Sequence, residues 1–227
     1  MNIVAIIPAR KGSKGIKNKN IIIYKKKPLL FHSIKSALQL KKINRVIVST
    51  DSKKYKSLAQ KFGAEVILRP KKISGSKSLD KEYLVHAYNY LKSKENLIVD
   101  LFVLLRPTCP DRNIKDLKRA LKFSIKNFTK YSSARSVHLA HSPPQKVFKI
   151  GKKKYLTGFF NEYLKGEYHS KPRQEYPLTY APNSFFDVLK PKYFMKYKSK
   201  KILWGNKIYP IITNFYKDID KKKDLIN

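Results

Sequence analysis

Apolar and polar positions along the first half of the chain alternate between the periods of strands and helices. Short runs rich in Ile, Val and Leu predict strands at 2–7, 45–50, 65–68 and 101–105. The run at 2–7 is continuous and predicts a strand buried on both faces of a sheet, and the run at 101–105 predicts another buried strand. Segments with apolar residues at helical spacing lie between and after them, at 28–40, 52–62, 79–94 and 113–126. This order predicts an α/β fold with a mostly parallel sheet and helices on both faces.

The pattern changes near residue 139. Residues 139–182 contain several prolines and aromatic residues and show no clear period. A stretch of this length is too long for an ordinary loop, so we interpret it as an arm that leaves the domain. Two further strands, at 185–189 and 207–212, are predicted to return to the sheet. We therefore expect one domain over 1–227, with 139–182 as its arm.

Charge is the unusual feature of the composition. The chain has 51 Lys and Arg residues against 15 Asp and Glu residues, a formal net charge of +36. Such a balance raises nucleic acid as a partner. The lysines, however, are spread from end to end, and no recognised nucleic-acid-binding motif accompanies them. We favour a solvated basic surface and keep nucleic-acid binding as the alternative.

The composition also bears on location. The single cysteine, Cys109, allows no internal disulfide, which favours a cytoplasmic protein. No apolar run approaches the roughly 20 residues that span a bilayer, so no membrane partner is expected. The apolar start of the chain is interpreted as a first strand and not as a signal peptide.

The loop after the first strand is the strongest candidate for chemistry. In open parallel sheets, ligands bind at the carboxyl ends of strands. Gly12 and Gly15 allow the backbone to approach a ligand closely, and successive N–H groups can then hold an anion. Arg10, Lys14 and Lys19 add positive charge suited to a triphosphate. The order is neither that of a P-loop nor that of a Rossmann dinucleotide motif.

This loop, IPARKGSKGIKNKN, resembles the signature of the acylneuraminate cytidylyltransferases, the CMP-sialic acid synthetase family. Further blocks resemble the family in the same order, so that the resemblance covers nearly the whole chain: VIVSTDS, ILRPKKIS, LLRPTCPDR, KPRQEYP, APNSFFDV and KDIDKKKDL. The resemblance implies a Rossmann-like nucleotidyltransferase fold, as in nucleotide-diphospho-sugar transferases, with a protruding dimerisation arm. It also implies a homodimer and transfer of CMP from CTP to an acidic keto-sugar.

The resemblance assigns roles to individual residues. It implies that Arg10, Ser13, Lys14 and Lys19 hold the CTP phosphates, with Asn20 near the nucleoside and Arg69 near the cytidine. Gly12 belongs to the same predicted nucleotide-binding set. Asp218 and Asp220 match a pair that binds Mg²⁺, the expected cofactor. Two carboxylates one residue apart can point to one side and hold a hard cation. Arg10, Lys14, Asp218 and Asp220 are the predicted catalytic residues.

A second set of residues is predicted to bind the sugar. Lys146 and Arg173 match family positions that contact the sugar and its carboxylate, and Gln174 and Asn183 can bind its hydroxyl or amide groups. Arg106 stands where better-known members carry a glutamine that touches the sugar. This departure leaves the acceptor open among sialic, pseudaminic and legionaminic acids and 3-deoxy-manno-octulosonate. A non-catalytic nucleotide-binding module is a further alternative, against which the retained loop and carboxylate pair argue.

Overall fold

The computed structural model describes residues 1–13, 15–151, 154–199 and 201–225. Its strands and helices, in chain order, are β1 (Ile3–Pro8), β2 (Ile23–Tyr24), β3 (Lys27–Pro28), α1 (Leu29–Leu38), β4 (Arg45–Thr50), α2 (Lys53–Lys61), β5 (Glu65–Leu68), α3 (Asp80–Glu95), β6 (Leu101–Leu104), α4 (Ile114–Lys126), β7 (Ser133–Leu139), β8 (Phe148–Ile150), β9 (Leu156–Gly158), β10 (Tyr180–Leu189), α5 (Pro191–Phe194) and β11 (Ile208–Ile212).

Seven strands form the central sheet, in the order β11-β7-β10-β6-β1-β4-β5. All neighbouring pairs are parallel except the two made by β10, which runs antiparallel to both β6 and β7. The predicted α/β class with a mostly parallel sheet is confirmed. Because the strands on either side of β10 keep one direction, the loops after β1, β4, β5 and β6 meet at one edge of the sheet.

The central strands β1, β4 and β6 are buried on both faces, as the unbroken apolar run of β1 predicted. Ile3, Ala5 and Ile7 of β1 pack into a core formed with α1, α2 and α4. Val4 and Ile6 point into a second core formed with α3 and α5. Each fully buried aliphatic side chain of this kind stabilises the fold by about 1.5–3 kcal/mol. The two cores together hold the central strands in place, and these strands carry the loops at the carboxyl edge of the sheet.

Strand β7 was not predicted from the sequence. Its residues, SARSVHL, include few large apolar side chains, yet Ala134 and Ser136 are buried. Pairing with β10 on one side and β11 on the other makes this segment a strand. Small side chains suit a position where flanking strands and helices leave little room.

The stretch predicted as an arm leaves the sheet after Leu139 and returns at Tyr180. Among its described residues, the regular structure is the β8–β9 hairpin and three short 3₁₀ turns. It exposes many large apolar side chains, among them Ile150, Tyr155, Leu156 and Leu178, each at least 68% exposed. Across the part of the chain described here, no helix is long and apolar enough to cross a membrane.

Candidate active site

The loop after β1 is tied to the loops that follow β4 and β5. The backbone N–H of Lys11 donates to Asp51 at 2.8 Å, and Arg10 Nη1 donates to the carbonyl of Gly75 at 2.8 Å. The side-chain amide of Asn20 donates to the carbonyl of Arg10 at 2.9 Å. These bonds hold the loop over the carboxyl edge of the sheet. Lys14, which the sequence places in the same loop, lies outside the described residues.

A cavity of about 430 Å³ opens beside this loop. That volume is within the range of small-molecule sites. The residues that line it are Pro8, Arg10, Ser13, Gly15, Lys19, Asn20, Arg69, Ser78, Asp80, Tyr83, Asp220 and Lys221. The structure therefore brings most of the predicted nucleotide-binding residues to one cavity, together with one of the two predicted metal ligands.

Arg69 is held rigidly in the wall of this cavity. Its Nε and Nη2 donate to the hydroxyl and carbonyl of Ser49, at 3.2 and 2.7 Å. Its guanidinium lies 4.7 Å from the centroid of the Tyr83 ring. Burial lowers the pKa of the guanidinium. A fixed, buried arginine of this kind offers directional donors to a ligand in the cavity.

The Asp218–Asp220 segment packs against the first loop. Ile219, between the two acids, is fully buried in a small core with Ile16 and Leu29, and its N–H donates to the carbonyl of Thr108 at 2.7 Å. A Cβ added to Gly15 would lie 2.5 Å from the carbonyl oxygen of Asp220. The segment therefore reaches the cavity only because residue 15 has no side chain.

The two carboxylates differ in their contacts. Asp220 pairs with Lys19, Oδ1 to Nζ, at 2.6 Å. Asp218 accepts a hydrogen bond on Oδ2 from the Ser184 hydroxyl at 2.6 Å, while its buried Oδ1 has no hydrogen-bond partner among the described residues. A buried carboxylate oxygen without a partner is unfavourable, and a cation would satisfy it.

These contacts fit a divalent cation with few protein ligands. Mg²⁺ commonly takes one or two carboxylates and completes its shell with phosphate oxygens and water. Within the described ranges, no group of three or more His, Cys, Asp or Glu residues could hold a metal by itself. The unpaired Oδ1 of Asp218 is thus suited to a cation that arrives with a phosphate ligand, while Asp220, two residues on, is paired with Lys19.

Arg106, predicted to bind the sugar, has its guanidinium between two carboxylates. Nη1 donates to Asp187 at 2.5 Å and Nη2 to Asp80 at 2.7 Å. Burial alone would lower the pKa of Arg106, but the adjacent fully buried Asp187 raises it above its usual value. Arg106 therefore has a structural partner on each side. Its contact with a sugar stays a prediction.

The other predicted sugar ligands lie apart from the first-loop cavity. Arg173 and Gln174 line a separate cavity of about 350 Å³ at the base of the arm. Lys146 Nζ lies 5.6 Å from the ring centroid of Tyr176 in the same region. Asn183 is buried, and its amide donates to Thr213 at 2.9 Å. None of the four lines the first-loop cavity.

The predicted set of site residues did not include five residues of the cavity: Pro8, Ser78, Asp80, Tyr83 and Lys221. Asp80 carried a usable signal, since it is one of only 15 acids in a strongly basic chain and begins a helix near a strand end. Tyr83 carried none, because an apolar face of α3 predicts core packing equally well.

Taken together, a parallel sheet with a basic glycine loop and an acidic pair at its carboxyl edge defines a nucleotidyltransferase-type site.

Comparisons with known proteins give the family. The cytidylyltransferase family model matches residues 4–173. An N-acylneuraminate cytidylyltransferase of Escherichia coli is 33% identical over 86% of this chain and 44% of its own length. A pseudaminic acid cytidylyltransferase of Campylobacter jejuni is 33% identical over 77% of this chain and 72% of its own. The chain belongs to the cytidylyltransferase family, an enzyme family of nucleotidyltransferases, as the resemblance of its motifs predicted.

The fold agrees with this membership. A structure of CMP:2-keto-3-deoxy-manno-octonic acid synthetase complexed with CTP superposes with a TM-score of 0.70, covering 99% of this chain and 95% of the other, at 16% identity. At that identity the likeness establishes the fold alone. The chain spans about half the length of the N-acylneuraminate cytidylyltransferases it matches.

Proposed function

We propose that this protein transfers CMP from CTP to the anomeric hydroxyl of a sialic-acid-like 2-keto-3-deoxy sugar and releases pyrophosphate. The observation that carries the proposal is the first-loop cavity, which Arg10, Ser13, Lys19 and Arg69 line together with Asp220. Donors fixed before the substrate arrives stabilise developing charge without reorganising, which is the main source of catalysis in such transfers.

The residues of the cavity divide the work. Arg10, Ser13 and Lys19 bind the triphosphate, and Arg69 orients the nucleoside. The sugar hydroxyl then attacks the α-phosphorus, and pyrophosphate leaves in line. Lys14 is proposed to bind the phosphates as well, on the motif alone. Asp218 and Asp220 would hold Mg²⁺, which supplies charge neutralisation at the phosphates.

Curated relatives named for pseudaminic and legionaminic acids keep the acceptor open within one chemical class. All of these sugars carry a carboxylate, for which Arg173 and Lys146 are the proposed anchors. These residues lie on the arm, so we propose that they complete the site of a second copy in a homodimer. The exposed apolar residues of the arm support this, because a soluble monomer rarely exposes a large apolar surface. Light scattering that gives a monomer mass at micromolar concentration would contradict it.

The test of the activity is pyrophosphate release from CTP and Mg²⁺ across sialic, pseudaminic, legionaminic and 3-deoxy-manno-octulosonic acids, with mass detection of the CMP-sugar. We expect one acid to be the preferred acceptor, and no product with any acid would overturn the proposal.

The cytoplasmic location rests only on the single cysteine and stays a prediction. The interpretation of the basic charge as a solvated surface, and not as a nucleic-acid-binding one, also stays a prediction.

The proposed metal site has its own test. Asp218→Asn and Asp220→Asn each remove a negative charge without changing size, and we expect each to lower turnover at least 100-fold and to raise the Mg²⁺ concentration needed. Glu65→Gln is the matched control. Glu65 is ion-paired with Arg45, but it is the first residue of β5 and so lies at the end of the sheet away from the first-loop cavity. Full turnover by Asp220→Asn would remove that residue from catalysis.

A further inference from the structure

Strand β10 departs from regular pairing around Ser184. Pro182 of β10 lies opposite Val137 of β7, but the next paired residue, Asp187, lies opposite Arg135. Five residues along β10 therefore correspond to two along β7, and the residues between them bulge out of the ladder. A bulge redirects side chains that a regular strand would point into a core. Ser184 lies in this bulge and is half-buried.

The Asp218–Asp220 segment is held against this bulge. The ring of Phe185 stacks on the ring of Tyr216, with the centroids 4.2 Å apart and the planes inclined by 20°. Two residues further along the chain, Asp218 accepts a hydrogen bond on Oδ2 from the Ser184 hydroxyl at 2.6 Å. The stack and the hydrogen bond together fix the part of the chain that carries Asp218 against the central sheet.

The backbone of Ser184 is itself held in place. Arg112, which is buried, donates from Nη2 to the Ser184 carbonyl at 2.9 Å and from Nε to the Phe185 carbonyl at 2.6 Å. Its Nη2 also donates to the carbonyl of Arg106 at 2.7 Å, in the loop after β6. Hydrogen bonds from a charged donor are stronger than those between neutral groups. The serine hydroxyl is therefore presented to Asp218 from a fixed backbone.

The hydrogen bond from Ser184 makes the two oxygens of the Asp218 carboxylate different. An ionised carboxylate only accepts hydrogen bonds, so the serine is the donor and Oδ2 is engaged. Oδ1 is buried and has no hydrogen-bond partner among the described residues. Asp220 is not constrained in this way, because its side chain is 65% exposed and its partner is the ammonium of Lys19. Asp218 thus offers one fixed oxygen to a cation.

Resting on the proposed use of Mg²⁺, we propose that Ser184 is a positioning residue that selects the cation by leaving Oδ1 of Asp218 as a single-oxygen ligand. Mg²⁺ requires nearly ideal octahedral geometry and takes one or two carboxylates together with phosphate oxygens and water. Ca²⁺ takes about six to eight oxygens and often both oxygens of one carboxylate. A carboxylate with one oxygen already hydrogen-bonded therefore suits Mg²⁺ and disfavours the two-oxygen mode of Ca²⁺.

Removal of the hydroxyl releases this constraint. In Ser184→Ala the hydrogen bond to Oδ2 is lost, so the carboxylate of Asp218 can turn and present both oxygens to a cation. Substitutions of residues that orient a metal ligand typically weaken metal binding about 10–100-fold. We therefore expect the variant to bind Mg²⁺ more weakly and to lose less affinity for Ca²⁺.

The experiment measures the affinity of the full chain for CTP by calorimetry in Mg²⁺, in Ca²⁺ and in EDTA, without any sugar. We expect wild type to bind CTP more tightly in Mg²⁺ than in Ca²⁺, and Ser184→Ala to lower that ratio about tenfold while the affinity in EDTA stays the same. Ser170→Ala is the matched control, because the Ser170 hydroxyl also donates to a carboxylate, that of Glu167, but on the arm. This control should leave the ratio unchanged.

Ser184→Cys is the second variant, because it keeps the size of the side chain but donates only weakly, and it should show the same loss. Thermal unfolding checks that each variant is folded. A Mg²⁺ to Ca²⁺ ratio within about twofold of wild type in both variants overturns the inference, as does a wild type with equal affinity in the two cations. Equal losses in Mg²⁺, Ca²⁺ and EDTA also overturn it, because they indicate that the hydroxyl only docks the segment. A wild type that binds CTP in none of the three conditions overturns the proposed function as well, so the two failures are distinguishable.

Discussion

Replacing Gly15 with Ala tests whether close packing of the first loop on the Asp218–Asp220 segment positions the site. The added Cβ would lie 2.5 Å from the backbone oxygen of Asp220, about 0.9 Å inside the 3.4 Å at which ordinary contact begins. Backbone cannot turn away as a flexible side chain can, so the loop or the acidic segment must shift. Overpacking of this kind costs about 1–3 kcal/mol of unfolding free energy.

A displacement near 1 Å also bears on catalysis, because a misplacement of about 1 Å can lower a rate about 100-fold. We therefore expect Gly15→Ala to lower the melting temperature by about 2–4 °C per kcal/mol lost, and to lower pyrophosphate release by about 100-fold. Differential scanning calorimetry and the pyrophosphate assay measure the two effects.

Gly12→Ala is the matched control for stability, since a Cβ at Gly12 meets nothing within 4 Å. It should change the unfolding free energy by no more than about 0.5 kcal/mol. Equal melting temperatures for the two variants, or full turnover by Gly15→Ala, would refute the reasoning that this contact fixes the site.

Two further predictions concern buried cations. Arg112 donates to four backbone carbonyls in the loop after β6 and at the start of the buried part of β10. Arg112→Met should therefore lower the unfolding free energy measured in urea by about 3 kcal/mol or more. Arg119→Met, at an exposed position, is the control, and equal losses of unfolding free energy would contradict the prediction. Burial, with Lys192 nearby, lowers the pKa of Lys190 to about 8. Because the unfolded state then binds more protons between about pH 8 and 10, the unfolding free energy of wild type relative to Lys190→Met should rise with pH in that window. A difference that does not change with pH would contradict it.

Most regular elements could be predicted because their residues carry the period of the element. The unbroken apolar run of β1 predicted a strand buried on both faces, and the two cores that it joins confirm this. Ser52, predicted at the start of a helix, caps α2 by accepting from the N–H of Tyr55. Strand β7 could not be predicted, since its small and polar residues become a strand through pairing with β10 and β11.

The candidate site divides in the same way. A glycine-rich basic loop after a buried strand predicted an anion site, because the strand's position fixes where the loop must lie. The sequence could not show that Arg106 holds Asp80 and Asp187, which are 26 and 81 residues away along the chain. Nor could it show that Asp80 and Tyr83 line the cavity with Arg69.

The sequence by itself therefore determined the α/β class, the family and the position of the loop that we propose to bind phosphate, because these depend on local period and on motifs within a few residues. Only the tertiary structure decided which distant side chains meet. Residue 15 must lack a side chain because residue 220 arrives against it, and Arg106 is committed to two carboxylates because β6, β10 and α3 bring them together. Contacts of this kind depend on how the strands are ordered in the sheet, which no local pattern encodes.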